Sequence, residues 1–283
     1  MSDLSVLLPV HNASFTLGAA IRSLQVQTRQ PDQVVAVDDG STDGSRDILR
    51  AWAAEDTRVT LVELDRQQGV AGALNEGLQR CSSDLVARMD ADDVSLPDRF
   101  AEQRAALLED EGTAMVSCWV DFAFGAELDP DVRRSYENVE VFRRALGPSR
   151  KEIRENLRRQ NLFHHGETMF RRSLVECVGG YRPEFVGAED YDLWLRLSRK
   201  HRLAIIPKVL YQRTIDGRGV SQGASELPRI SAAQARVCDE LGDSGIDWLP
   251  SVRAALATYL GTTGGSPASR QEEGSGVSRR LHR

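Results

Sequence analysis

The chain has 283 residues, of which 41% are hydrophobic and 28% are charged, a composition that excludes a disordered or fibrous protein and allows one large α/β domain. Its formal net charge of -6 provides no basic field for a nucleic-acid backbone, which argues against nucleic acid as the main partner. Because the sequence has neither a secretory signal nor an apolar run of about 18 residues, we expect a cytoplasmic protein, with peripheral contact at the inner face of a membrane left open.

Residues 1–120 alternate short aliphatic runs with helical patterns, which predicts βαβ units and a mainly parallel sheet. The predicted strands cover 4–9, 33–37, 59–64, 85–89 and 114–120. Helices are predicted between them. Ser14 is placed to cap the first helix, and Pro97 suits the first turn of the helix before the fifth strand.

The second half is less regular. Residues 121–159 are polar and contain the breakers Asp129-Pro130 and Gly147-Pro148, which predicts an irregular excursion. After it we predict a strand at 168–171, helices at 173–178 and 190–200, and a strand pair at 203–206 and 209–212. Helices near 230–241 and 248–260 complete the list. We therefore divide the chain into two halves of one domain, 1–120 and 121–225, C-terminal helices in 226–260 and a disordered tail in 261–283.

Polar clusters follow three of the predicted strands. They are Pro9-Val10-His11-Asn12, Asp38-Asp39-Gly40-Ser41-Thr42-Asp43 and Asp90-Ala91-Asp92-Asp93. Because ligands of open parallel sheets bind beyond the carboxyl ends of the strands, these clusters predict one shared site. The second cluster has an alternative interpretation as a turn followed by a helix cap, and we leave that alternative open.

The acidic run Asp90, Asp92 and Asp93 predicts a metal site, because crowded carboxylates repel one another unless a cation compensates them. Hard oxygen ligands suit Mg²⁺ or Mn²⁺, which can bridge to the phosphates of a ligand. The alternative is a solvated acidic loop that caps the following helix. Arg88 and Arg99 flank the run, and we expect both to be structural ion-pair partners.

A further acidic pair, Glu189 and Asp190, begins the predicted helix 190–200. The helix dipole explains acids at such a position without any catalysis. Yet a carboxylate beside another carboxylate can have a raised pKa that suits a general base. Asp192 and Arg196 have the i, i+4 spacing of a pair on a helix surface.

Taken together, the motifs resemble those of family 2 glycosyltransferases of the GT-A fold. The matching segments are Leu-Leu-Pro-Val-His-Asn, Val-Asp-Asp-Gly-Ser-Thr-Asp, Asp-Ala-Asp-Asp and Glu-Asp-Tyr-Asp-Leu-Trp-Leu-Arg, in the family's order between residues 4 and 221. The resemblance implies an α/β fold with a Rossmann-like, mainly parallel central sheet flanked by helices, and a C-terminal helical extension.

The resemblance also implies roles for individual residues. The implied nucleotide-binding residues are Pro9, Val10, His11, Asn12, Asp38, Asp39 and Asp90, with Asp39 accepting an N–H of the base. Asp92 and Asp93 are implied to bind Mn²⁺ or Mg²⁺. Asp190 matches the base of an inverting reaction, and Glu189 is expected to position it. His165 and Trp194 are expected near the acceptor or the diphosphate.

The implied function is metal-dependent, inverting transfer of a single sugar from a nucleoside-diphosphate sugar, with UDP favoured. The expected acceptor is a hydroxyl of a glycan or of a lipid-linked molecule in cell-surface glycan synthesis. The Arg-x-His arrangement of many relatives is absent, since this chain reads Gln212-Arg213-Thr214-Ile215-Asp216. Two alternatives are a noncatalytic nucleotide-sugar-binding protein and a sugar-phosphate nucleotidyltransferase, although the latter should carry a basic Gly-rich loop that residues 9–14 lack. The sequence predicts no oligomeric state.

Overall fold

The computed structural model describes residues 3–147 and 149–216, together with positions 232, 235, 236, 238 and 239. Its strands are β1 (Leu4–Val10), β2 (Gln33–Asp38), β3 (Val59–Glu63), β4 (Leu85–Arg88), β5 (Val94–Ser95), β6 (Thr113–Phe124), β7 (Met169–Arg171) and β8 (Arg202–Ile215). Its helices are α1 (Leu17–Gln25), α2 (Ser45–Glu55), α3 (Val70–Leu78), α4 (Arg99–Glu109), α5 (Pro130–Ala145), α6 (Arg150–Leu157), α7 (Arg172–Cys177) and α8 (Glu189–Lys200), with a 3-10 helix at His165–Glu167.

The strands form one eight-stranded sheet in the order β3-β2-β1-β4-β7-β6-β8-β5. The pairs β1–β2, β1–β4, β2–β3 and β6–β8 are parallel, whereas β4–β7, β6–β7 and β5–β8 are antiparallel. Strand β7 comes from the second half of the chain and lies between β4 and β6 of the first half. The predicted α/β class with a mainly parallel sheet is confirmed.

Helices cover both faces of the sheet, because the central strands are apolar on both sides. Successive side chains of β1 point to opposite faces: Leu7 packs in the layer that contains Trp194, and Leu8 packs in the layer that contains Phe100. All four side chains are fully buried. Strands that are buried on both faces read as continuous apolar runs, which is why the sequence located them.

The segment predicted as an irregular excursion contains helices α5 and α6. Pro130 occupies the first turn of α5, and the Asp129 side chain accepts a hydrogen bond from the Asp131 N–H at 2.7 Å. The only residues of α5 that are buried are Glu140 and Arg143, so the helix has no apolar stripe by which its sequence could have been recognised. The predicted strand pair is one long strand, β8, with irregular pairing near its middle.

Helix α8 is buried on almost every side, with nine of its twelve residues enclosed. The prediction that Asp192 and Arg196 form a surface pair is therefore wrong: they are 2% and 5% exposed, and Arg196 Nε donates to Asp192 Oδ2 at 2.9 Å. Arg196 also donates to the backbone oxygens of Val178 and Gly180. The pair thus ties the end of α7 to α8.

Of the predicted C-terminal helices and tail, only positions 232, 235, 236, 238 and 239 belong to the described residues, and these are helical. The rest of 226–260 and all of 261–283 lie outside the described part of the chain. Within the described ranges, no helix combines the length and the apolar character needed to cross a bilayer.

Candidate active site

A cavity of about 330 Å³ opens at the carboxyl ends of β1, β2 and β4. Its described wall consists of residues 9–13, Phe15, Thr16, Asp39, Gln67, Val70, Ala73, Arg88, residues 90–92 and Asp216. The volume is that of a small-molecule site, and the position is the edge of a parallel sheet where ligands bind. The cavity therefore lies where the polar strand ends predicted a site.

The loop after β1 forms the first part of the wall. His11 Nδ1 lies 2.7 Å from the backbone oxygen of Asp39, and Asn12 Oδ1 accepts a hydrogen bond from the Thr42 N–H at 2.8 Å. Asn12 adopts a φ of 50°, which asparagine tolerates better than most residues. These contacts join the loops after β1 and β2. Residues 9–12, four of the seven predicted nucleotide-binding residues, line this cavity.

The two adjacent aspartates at the end of β2 have different environments. Asp39 lines the cavity, and its two carboxylate oxygens accept hydrogen bonds from the N–H groups of Gln68 and Gly69 at 2.6 and 2.9 Å. Asp38 is fully buried, does not line the cavity and accepts a hydrogen bond from Arg46 Nε at 2.7 Å. The predicted nucleotide contact of Asp38 stays a prediction that this structure does not support, because side chains alternate along a strand and this one turns away from the cavity.

Three carboxylates meet in the loop after β4. Oxygens of Asp90, Asp92 and Asp93 lie within 4.8 Å of one another. Burial and repulsion from Asp90 raise the pKa of Asp92 to about 6, and burial with repulsion from both neighbours raises the pKa of Asp93 to about 8. Grouped carboxylate oxygens are the ligands that Mg²⁺ and Mn²⁺ prefer, and a cation would offset their repulsion. The residues therefore fit a divalent metal.

A buried arginine, Arg88, and a partly buried one, Arg213, lie beside these carboxylates. Arg88 Nη1 forms an ion pair with Asp90 Oδ2. Arg213 Nη1 lies 2.8 Å from His164 Nδ1, and although burial opposes its charged form, the carboxylates of Asp93 and Asp90 raise its pKa. The two guanidinium groups therefore offset part of the negative charge of the acidic cluster.

The acidic pair Glu189 and Asp190 begins α8, outside the described lining of the cavity. Glu189 is 6% exposed, its Oε2 has no hydrogen-bond partner, and burial followed by repulsion from Asp190 raises its pKa to about 7. Asp190 is more accessible, and burial raises its pKa too. Its oxygens accept hydrogen bonds from Asn161 Nδ2 at 3.0 Å and from the Tyr191 N–H at 2.6 Å. The more accessible carboxylate is thus also the one held in a fixed orientation.

His165 and Trp194, which were predicted near the acceptor or the diphosphate, pack against each other. His165 Nε2 lies 2.9 Å from Tyr181 Oη, and its Nδ1 lies 3.9 Å from Glu189 Oε1, while burial lowers its pKa well below the usual value. A contact between His165 and an acceptor stays a prediction. Trp194 is fully buried and packs edge-on against His165. Its predicted ligand contact stays a prediction that this structure does not support, because the side chain has no accessible surface.

Several residues of the site were missed by the sequence analysis. Tyr211 Oη accepts a hydrogen bond from the Asp90 N–H at 3.2 Å, and the Asn75 amide bonds both the N–H and the carbonyl of Tyr181. Phe15 lines the cavity although it is 92% exposed. Asp216 follows β8 at the same edge of the sheet, so the rule that located the other strand ends would have found it.

Comparison with known sequences identifies close matches in one family. The family model described as Glycosyl transferase family 2 matches residues 5–179. The amylovoran biosynthesis glycosyltransferase AmsE of Erwinia amylovora is 32% identical over 209 residues, which cover 73% of this chain and 74% of AmsE. The UDP-Gal:alpha-D-GlcNAc-diphosphoundecaprenol beta-1,3-galactosyltransferase of Escherichia coli is 28% identical over 195 residues, which cover 68% of this chain and 66% of that protein.

Solved structures share the fold. TarS 1-349 of S. aureus in complex with UDP aligns with a TM-score of 0.61 at 17% identity, over 85% of this chain and 66% of that one. The mannosyltransferase PcManGT from Pyrobaculum calidifontis, in complex with GDP-Man and Mn²⁺, aligns with a TM-score of 0.59 at 24% identity, over 95% and 79% of the two chains. At these identities the likeness concerns the arrangement of the chain and not its substrates.

Proposed function

The chain belongs to glycosyl transferase family 2, and from this premise we propose that it transfers one sugar, with inversion, from a nucleoside-diphosphate sugar to a hydroxyl group. The observation that carries the proposal is that loop 9–12, Asp39, Asp90 and Asp92 line one cavity, with the buried carboxylate of Asp93 grouped with the last two. Such a cavity offers a base pocket and a diphosphate pocket side by side.

We further propose a UDP-sugar as the donor and a glycan or lipid-linked hydroxyl as the acceptor. The name of the E. coli relative specifies UDP-Gal and a diphosphoundecaprenol-linked sugar, and the fold relative TarS binds UDP. The name of the E. amylovora relative refers to the biosynthesis of amylovoran. These names support a role in cell-surface glycan synthesis.

The leaving group requires charge neutralisation, which we assign to Mn²⁺ or Mg²⁺ held by Asp92 and Asp93 with Asp90 beside them. The fold relative PcManGT was solved with Mn²⁺, which supports this choice. When bound, a divalent cation stabilises the negative charge on the departing diphosphate. Loop 9–12 and Asp39 would meanwhile hold the nucleoside, with the remaining lone pairs of the Asp39 carboxylate able to accept an N–H of the base.

Asp190 is our candidate for the general base. The acceptor oxygen attacks the anomeric carbon, its proton passes to the Asp190 carboxylate, and the bond from that carbon to the phosphate oxygen breaks with its electron pair on the diphosphate. The raised pKa of Asp190 makes it a better proton acceptor than an ordinary carboxylate, and Asn161 orients it. Glu189, which is more deeply buried and lies near His165, is assigned to positioning.

The donor assignment is tested by thermal shift. The melting temperature is measured with UDP, GDP, dTDP and CMP, each with and without Mn²⁺, on wild type, on Asp92→Ala and on the control Asp47→Ala, whose side chain is 85% exposed on α2. A ligand at one hundred times its Kd adds about 2.7 kcal/mol to stability, or roughly 5–10 °C for a chain of this size. We expect a metal-dependent rise with UDP that Asp47→Ala retains and Asp92→Ala loses. No rise with any nucleotide would refute the donor site.

The base assignment is tested by kinetics with the donor so identified. Asp190→Asn should lower kcat by about 10²- to 10⁴-fold, the usual contribution of a general base, and leave the Kd of the donor unchanged. Glu189→Gln should reduce kcat less. Tight donor binding by wild type with no transfer to any acceptor or to water would instead support the noncatalytic alternative.

A further inference from the structure

Arg88 is an unusual residue of the cavity wall. It ends β4 and is 3% exposed, yet it is the only arginine or lysine among the described residues that line the cavity. Its Nη1 forms an ion pair with Asp90, and its Nε is buried with no hydrogen-bond partner. A guanidinium has five N–H donors, and leaving such donors unused in a buried position is costly. Because Arg88 lines the cavity, donors on its cavity side are placed to meet a ligand there.

Arg99, on the other side of the acidic run, provides the contrast. It is fully buried, and its Nη2 donates to the backbone oxygens of Arg88 and Thr168 at 2.6 and 3.2 Å. Its Nε donates to Gln103 Oε1 at 3.0 Å, and the guanidinium lies 4.7 Å from the centre of the Tyr211 ring. Arg99 is structural as predicted, although its partners are backbone oxygens and Gln103 and not a carboxylate. Arg88 has the predicted ion pair, with Asp90, but that pair does not occupy its Nε.

The position of Arg88 relates it to both acidic groups of the site. Along β4, Val86 and Arg88 point to the same face of the sheet, and Val86 packs in the layer that contains α8. The positive charge of Arg88 acts on Asp92 at the metal cluster and also on Glu189 and Asp190 at the start of α8. The guanidinium thus contacts the acidic cluster through Asp90, and it projects from the face of the sheet that α8 covers.

In an inverting transfer the nucleophile and its base approach the anomeric carbon from the side opposite the leaving diphosphate. The sugar of the donor must then lie between the metal cluster and Asp190. This step rests on the function proposed above. We propose that Arg88 donates hydrogen bonds to hydroxyl oxygens of the transferred sugar, and so contributes to the choice of sugar. A planar guanidinium can contact two neighbouring oxygens at once, which makes such a contact sensitive to their stereochemistry.

The test compares a nucleotide with its sugar conjugates. Calorimetric titration in the presence of Mn²⁺ gives the Kd of UDP, UDP-galactose and UDP-N-acetylglucosamine, and of GDP and GDP-mannose, for wild type, Arg88→Gln and Arg88→Lys. The matched control is Arg46→Gln, which removes a guanidinium paired with the carboxylate of Asp38 that does not line the cavity. Circular dichroism and melting temperature verify the fold of each variant. Arg88→Lys keeps the charge beside Asp90 and serves as the readout if Arg88→Gln fails to fold.

We expect Arg88→Gln to raise the Kd of the sugar conjugate by about 10- to 100-fold, the effect of hydrogen bonds from a charged donor, while the Kd of the free nucleoside diphosphate changes little. Arg88→Lys should show the same selective loss to a smaller extent. A donor analogue that lacks the sugar hydroxyl contacted by Arg88 should bind wild type about as weakly as the parent donor binds Arg88→Gln. The affinity for this analogue should not fall further when Arg88 is replaced by Gln.

If Arg88→Gln loses the same affinity for the nucleotide and for its sugar conjugate, or loses none for either, the assignment of Arg88 to the sugar is overturned. The proposed transferase function would remain intact. An equal loss would mean that Arg88 acts on the diphosphate or through Asp90. If wild type binds none of the nucleotides or conjugates, the proposed function and the role of Arg88 both fail.

Discussion

Replacing Arg143 by methionine tests whether the buried charge network under α5 holds that helix in place. Arg143 is 1% exposed and contacts carboxylates of Glu140 and Glu167, the Ser117 hydroxyl at 2.9 Å and the Cys118 carbonyl at 2.9 Å. Methionine fills a similar volume but has no charge, so the substitution removes the cation with little loss of packing. Glu167 then has no ion-pair partner, whereas Glu140 keeps Arg144.

The expected cost follows from the depth of the network. Glu167 is fully buried, and its Oε2 already has no hydrogen-bond partner, so without Arg143 its charge is almost uncompensated. Breaking a buried pair by removing one partner costs about 3–5 kcal/mol. For a chain of this size, that corresponds to a fall in melting temperature of roughly 6–20 °C.

The stability that Arg143→Met loses should depend on pH, and the protonation of Glu167 determines the direction of that dependence. Burial raises its pKa from the usual 4.5 to about 7 even though Arg143 lowers it, so without Arg143 the pKa rises further. A carboxylic acid whose pKa is raised in the folded state favours folding below its unfolded pKa, and this contribution is lost as the pH rises through the folded pKa. We therefore expect Arg143→Met to cost more stability at pH 8 than at pH 6.

Melting curves by differential scanning calorimetry at both pH values provide the measurement. The matched control is Arg144→Met, which removes the next arginine, 42% exposed and 3.0 Å from Glu140 Oε1. Arg144 is partly exposed to solvent and Glu140 keeps Arg143 as a partner, so this variant should lose only about 1 kcal/mol and melt close to wild type at either pH. A loss for Arg143→Met that is as small as that of the control, or larger at pH 6 than at pH 8, would refute the reasoning.

Three further predictions concern the cavity. Asp38→Asn should lower the free energy of unfolding by about 2 kcal/mol, because it weakens a buried charged hydrogen bond, while calorimetry should find nucleotide affinity unchanged. Mn²⁺ should raise the melting temperature more at pH 8 than at pH 6. The raised pKa values of Asp92 and Asp93 mean that protons compete with the metal for these carboxylates at the lower pH. Equal rises at the two pH values would contradict this prediction. Gly166→Ala should weaken metal-dependent nucleotide binding in the same assay, because an added Cβ would clash with Asp90 Oδ2, and unchanged binding would show that the loop can shift.

The sequence predicted the strands of the first half well, because these strands are buried on both faces and appear as aliphatic runs between helical segments. It also predicted where the polar strand ends would meet, since parallel strands place their carboxyl ends at one edge. The pairing of β7 between β4 and β6 was not predictable in this way. That pairing depends on contacts between distant segments, and local periodicity carries no information about them.

The sequence was least informative where charged residues perform structural work. Helix α5 was missed because it is anchored by Arg143 and Glu140, whereas hydrophobic periodicity detects only apolar stripes. The same limit applies to Asp192 and Arg196, whose i, i+4 spacing is identical on an exposed and on a buried helix. Asp38 and Asp39 are adjacent in one motif, but Asp38 is a buried structural carboxylate and Asp39 lines the cavity. Only the direction of each side chain distinguishes the two, and the motif does not reveal it.

The insertion of β7 next to β4 has a consequence for synthesis on the ribosome. Until Met169–Arg171 has been made, the outer edge of β4 has no partner, although β1 already occupies its inner edge. About 80 residues separate the two strands, and at roughly 5–20 residues per second the nascent chain presents this open apolar edge for several seconds. Unpaired strand edges are sites of aggregation, so the interval is when a growing chain would benefit most from a chaperone. Slower translation between β4 and β7 should accordingly reduce the soluble yield more than slower translation after β8.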